Sequence, residues 1–203
     1  MESTFRLSYS EHEVAGRLQS LLREPKDRFS VTLPLSRQNK GWDLLVHSSE
    51  TGRAARIQVK ASRWYLEPKP EERGFSHVFW FNNFRTKLSG ADFFVLFSVF
   101  PALDHKAWTG RDYAKHWEQR TMILSQDEVG TLLPPEGEKF FYLAFDADRP
   151  DEILCLNGRK QTLGRFSYAQ VRSTVRVSAL KGYLTDNRKA SLPDNVRVAA
   201  DAA

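Results

Sequence analysis

Residues 41–62 read GWDLLVHSSETGRAARIQVKAS. Apolar and β-branched residues dominate 42–47 and 54–60, and the polar stretch between them holds Gly52, so the pattern predicts two strands joined by a turn. Residues two apart in a strand face the same way. Gln58 and Lys60 therefore share one face of the second strand, with Ile57 and Val59 on the other. The first strand carries Asp43 into the same neighbourhood. An unpaired Lys or Asp on a central strand is costly, so a polar face there needs a reason. A carboxylate, an amide oxygen and an ammonium group gathered together supply one. Hard divalent cations such as Mg²⁺ take oxygen ligands and keep several waters. A lysine beside them orients a water or offsets charge on a phosphate.

Upstream, Ser10 to Leu22 predicts a helix, with Ser10 as N-cap, Glu13 at the capping-box spacing and Pro25 ending it. Val14, Leu18, Leu21 and Leu22 form its apolar face. At about 100° per residue, Glu11 falls inside that stripe whereas Glu13 points away from it. Phe29 to Leu35 alternates as a strand, and a polar loop follows to Gly41. Downstream, Arg63 to Gly74 reads as a charged loop, and His77 to Asn82 and Asp92 to Phe100 as strands. The second of these is almost continuously apolar, as expected of a strand covered on both faces. Thr121 to Leu124 predicts a short strand, Gln126 to Leu132 a helix capped by Ser125, and Phe140 to Phe145 another strand. Trp108 to Gln119 is ambiguous, and the pattern beyond Asp151 is weak.

An N-terminal helix with an inward glutamate, a strand Asp and a (D/E/Q)-x-K strand resemble the PD-(D/E)xK nuclease superfamily. The pattern is most similar to its Holliday-junction-resolvase-like branch. Glu11, Val14, Ala15 and Leu18 match the helix pattern, residues 41–46 match G-x-D followed by three apolar residues, and residues 57–62 match the final motif. The resemblance covers roughly residues 10 to 100 and implies a restriction-endonuclease-like α/β fold, a mixed central sheet flanked by helices. It implies hydrolysis of a DNA phosphodiester with Mg²⁺, for which Mn²⁺ substitutes. It gives Glu11, Asp43 and Gln58 as metal ligands with the Val59 carbonyl, and Lys60 as the residue positioning the water. Pairing of two copies as a homodimer to cut two strands is implied by resemblance alone. Gln58 departs from the usual Glu or Asp and removes one negative charge. That leaves a second reading open: a catalytically inactive nuclease-fold protein that binds DNA or another protein.

The 203 residues suffice for one domain of 1–150, a basic extension of 151–192 continuous with it or packed on it, and a disordered tail of 193–203. A net charge of +5 and a pI near 9.4 suit a polyanion. Much of the positive charge lies between Arg159 and Lys189, making Arg165, Arg172 and Arg176 candidates for contact with a DNA backbone. Ser36, Arg37, Lys40, Ser62 and Arg63 flank the proposed site and are candidates for phosphate contact. The single cysteine, Cys155, rules out an internal disulfide and reads as a buried apolar residue. Scattered histidines disfavour zinc, and no phosphate-binding glycine loop suggests ATP. No leader pattern and no apolar run long enough to span a bilayer is found, so the expected location is cytoplasmic, with no membrane partner.

Overall fold

The computed structural model describes residues 9–23, 28–34, 41–82, 90–101, 117–132, 140–146 and 148–185. Its elements are α1 (Tyr9–Leu21), β1 (Phe29–Thr32), β2 (Leu44–Ser48), β3 (Ala54–Leu66), α2 (Pro70–Arg73), β4 (His77–Asn82), β5 (Phe93–Pro101), β6 (Trp117–Ser125), α3 (Gln126–Leu132), β7 (Phe140–Asp146), β8 (Arg149–Leu156), β9 (Thr162–Ser167), α4 (Tyr168–Val171) and α5 (Ser173–Thr185). The fold is mixed α/β, with helices against a mixed sheet, as the sequence predicts. The expected loop from Arg63 is a correction: β3 continues to Leu66, because residues 63–66 find a second partner in β4. Ser10 is likewise already helical and buried rather than a cap.

That extension forks the sheet. Nine strands are hydrogen-bonded into one sheet. The first half of β3 pairs antiparallel with β2 and parallel with β5, and its second half pairs antiparallel with β4. One leaf is β1, β2, β3, β5 and β6; the other runs from β3 through β4, β7, β8 and β9. Alternation along β5 then serves two cores. Phe93, Val95 and Phe97 join Val14 and Leu18 of α1 and Leu180 and Leu184 of α5. Phe94, Leu96 and Phe100 join Phe79, Phe145 and Cys155 between the leaves. Residues 151–185 are thus part of the same structure: β8 pairs with β7, and α5 shares a core with α1.

Local signals hold where they are self-contained. Ser125 and Glu128 form a capping box at α3: the Glu128 N–H donates to the Ser125 hydroxyl (3.3 Å), and the Ser125 N–H donates to the Glu128 carboxylate (2.5 Å). The open edge of β1 is occupied by the Gln19 amide, whose oxygen accepts the Val31 N–H at 3.0 Å. This blunts an edge that would otherwise template pairing with another chain.

Candidate active site

Gly41 has φ +119°, a backbone conformation closed to most L side chains, and turns the chain into the β2–β3 hairpin. The Asp43 N–H donates to the Ile57 carbonyl at 2.8 Å, and Leu44 pairs with Ile57. One position beyond, where β2 has not yet begun, a side chain substitutes for the missing ladder partner: Asp43 Oδ2 accepts the Val59 N–H at 2.7 Å. The Asp43 carboxylate lies close enough to Lys60 to act on its ammonium, and Gln58 shares the Lys60 face of β3.

Gln58 Oε1 is buried and has no hydrogen-bond partner among the described residues. Such an orphan acceptor carries a desolvation cost of about 1–3 kcal/mol unless a proton donor or a cation meets it. Lys60, half-buried, has its pKa pushed down by loss of solvent, while the Asp43 carboxylate pulls it back up. Two residues on, the Ser62 hydroxyl donates to the Trp80 carbonyl at 2.9 Å, fastening β3 to β4 where the strand changes partners.

The structure therefore gathers Asp43, Gln58 and Lys60. It places Glu11 elsewhere. Val14 and Leu18, which follow Glu11 along the same stripe of α1, pack with Ile57 and Val59, so α1 covers the face of β3 opposite to Gln58 and Lys60. Glu11 is half-buried, and no hydrogen bond or ion pair of its side chain is found among the described residues. No group of three or more His, Cys, Asp or Glu side chains suited to a metal occurs among the described residues. The donor set that fits a hard cation is instead an oxygen set of lower charge: the Asp43 carboxylate and the orphan Gln58 oxygen.

Ser36, Arg37 and Lys40 lie outside the described residues, as does the Arg63 side chain. In the late basic stretch, Arg172 is exposed, and Arg165 is exposed but paired with Glu152 at 2.7 Å. Arg176 is a correction. It is 6% exposed, and its Nη2 donates to buried Glu128 at 2.5 Å, so its charge is spent inside the protein rather than on a ligand. Another buried arginine was hidden in the aromatic and basic run of residues 105–120. Arg120 stacks on Phe145 (3.9 Å) and Tyr168 (4.8 Å), and burial lowers its pKa. No sequence signal separates either from a solvated arginine.

No protein-family profile matches this chain, and no curated protein matches it. Among solved structures, a bacterial homing endonuclease, I-Ssp6803I, is similar at 16% identity with a TM-score of 0.40, over 85% of this chain and 91% of that one. No helix among the described residues is long and apolar enough to cross a membrane.

Proposed function

We propose that the protein is a metal-dependent DNA endonuclease of the PD-(D/E)xK type. The observation that carries this reading is the convergence of Asp43, Gln58 and Lys60 on one face where β2 and β3 part. The oxygens of Asp43 and Gln58, with the Val59 carbonyl, would hold Mg²⁺ or Mn²⁺. Bound there, the cation would supply Lewis acidity toward a phosphate and a more acidic water. The Val59 N–H fixes the Asp43 carboxylate in place. Gln58 offers an oxygen that no other described residue engages. Lys60 supplies a desolvated ammonium that orients the attacking water and offsets charge on the phosphate. In the hydrolysis, the water oxygen forms a new bond to phosphorus as one ester P–O bond breaks. The leaving alkoxide then takes up a proton. DNA as partner, and two copies acting on two strands, belong to the same proposal.

One observation favours a second reading, a relative that binds DNA without cutting it. Asp43 is the sole carboxylate among the three gathered residues. The test is a cleavage assay with Mg²⁺ or Mn²⁺ over plasmid, linear, single-stranded and branched DNA. Cutting that disappears in Lys60→Ala and Asp43→Ala supports the nuclease. An intact protein that cuts none of these forms refutes it, and salt-sensitive binding without turnover then identifies the second reading.

A further inference from the structure

Two cavities on the second leaf share three side chains, Arg149, Glu152 and Arg165. The first, of about 210 Å³, has Arg73, Asp146 and Thr162 in its remaining wall, so the end of α2 closes it against β7, β8 and β9. Its lining is mostly polar. The second, of about 490 Å³, is completed by Pro150, Asp151, Phe166 and Ser167, and its lining is mostly apolar.

Charge in the first cavity is incompletely compensated. Arg149 donates to one oxygen of Glu152 at 3.1 Å, and Arg165 donates to the other at 2.7 Å. One carboxylate thus serves two guanidiniums, each through a single nitrogen, whereas a guanidinium carries five N–H donors. Arg73 is exposed, and no hydrogen bond or ion pair of its side chain is found among the described residues. The other carboxylate in this wall, Asp146, already accepts the Ser76 hydroxyl at 3.4 Å. Three arginines against two carboxylates leave one positive charge and several N–H groups in excess. Like charges gathered in a concavity repel one another. An oxyanion among them removes that repulsion and takes the spare donors in charge-assisted hydrogen bonds.

Size and lining narrow the ligand further. Pockets that bury a whole organic ligand occupy roughly 300–1,000 Å³, so the first cavity alone holds a group rather than a molecule. With its neighbour it reaches that range. Asp151 in the second cavity is spent at the start of α4, where it accepts the Ser167 hydroxyl and, at 2.8 Å, the Ala169 N–H. The surface left there is the apolar wall of Pro150 and Phe166, which suits a flat apolar body.

We propose that the two cavities form one binding site for a nucleoside monophosphate, its phosphate among Arg73, Arg149 and Arg165 and its base against Pro150 and Phe166. The site shares no residue with Asp43, Gln58 and Lys60, and it stands whether or not the protein cuts DNA.

The test is isothermal titration calorimetry in EDTA, which keeps phosphate from any cation at Asp43. Adenosine monophosphate, adenosine and inorganic phosphate are titrated into the wild type, Arg73→Ala, Pro150→Glu and a control of equal charge loss, Arg159→Ala. All three positions are exposed, and Arg159 lies in the turn between β8 and β9, outside both cavities. Matching melting temperatures establish that the variants fold. Adenosine monophosphate is expected to bind at least tenfold more tightly than either of its parts. Loss of one charge-assisted bond weakens it about tenfold or more in Arg73→Ala. A carboxylate set in the apolar cavity weakens it in Pro150→Glu, and Arg159→Ala binds as the wild type does. Inorganic phosphate bound as tightly as the nucleotide overturns the proposal, because the second cavity then takes no part. Equal weakening by Arg159→Ala also overturns it, since diffuse surface charge would then suffice. A wild type that binds no adenosine monophosphate overturns it outright and leaves the nuclease reading untouched.

Discussion

Replacing Asp43 by Asn and by Ala separates what its carboxylate does for the fold from what it does for chemistry. Its Oδ2 accepts the Val59 N–H at 2.7 Å, and Val59 is only 8% exposed, so water cannot readily take over when the acceptor goes. Hydrogen bonds to charged groups contribute about 1.5–3 kcal/mol. For a chain of this size each kcal/mol moves the melting temperature by about 2–4 °C. Asp43→Ala therefore lowers the melting temperature by roughly 3–12 °C. Asp43→Asn keeps a carbonyl oxygen for the Val59 N–H and exchanges a charged bond for a neutral one. Its expected loss is about 1 kcal/mol, or roughly 2–4 °C. Under the nuclease reading both variants remove the negative charge that a cation would need, so both are expected to abolish metal-dependent cutting. The measurements are thermal melts by circular dichroism in EDTA and plasmid nicking with Mn²⁺. If the two variants melt within a degree of each other, the Asp43–Val59 bond does not hold this corner of the hairpin. If Asp43→Asn cuts at the wild-type rate, the carboxylate is no metal ligand.

Lys60→Met tests the cost of burying the ammonium. Because burial places its folded-state pKa below the ordinary 10.5, the penalty is fully present at neutral pH, where the lysine is charged folded and unfolded, and is gone above 10.5, where it is neutral in both. The variant therefore gains stability at pH 7, and the gain shrinks as the pH climbs toward 10.5. A gain independent of pH refutes the assignment. Gln58→Glu restores a charge at the orphan oxygen, and calorimetric Mn²⁺ affinity should rise about tenfold, since affinity for hard cations follows ligand charge; unchanged affinity means that Gln58 does not face the cation. Arg176→Ala strands buried Glu128 and should cost about 3–5 kcal/mol. The double variant Arg176→Met with Glu128→Met recovers most of it, and DNA affinity of the folded protein stays as it was. A specific loss of DNA binding in that double variant would return Arg176 to the interface.

The sequence alone determined the parts whose causes are local. Helical phase fixed the buried stripe of α1, alternation and Gly52 fixed the β2–β3 hairpin, and Ser125 as the cap fixed the start of α3. Because a hairpin pairs neighbouring residues, Asp43, Gln58 and Lys60 were also legible as one face before any coordinates. The tertiary structure decided what depends on distant partners. β3 runs to Leu66 because β4 and β7 offer it a second leaf; Trp64 and Tyr65 favour a strand, but the charged, proline-containing residues after them read as a loop. Glu11 has the right helical phase, yet phase says only that a side chain faces the sheet; it took the packing of α1 to show which side of β3 it meets. Arg176 looked like surface charge until Glu128, 48 residues earlier, was found to neutralise it inside the protein. Burial and charge compensation are sums over the whole fold, so a residue's type and spacing record what it can do, while its neighbours in space decide whether it does it.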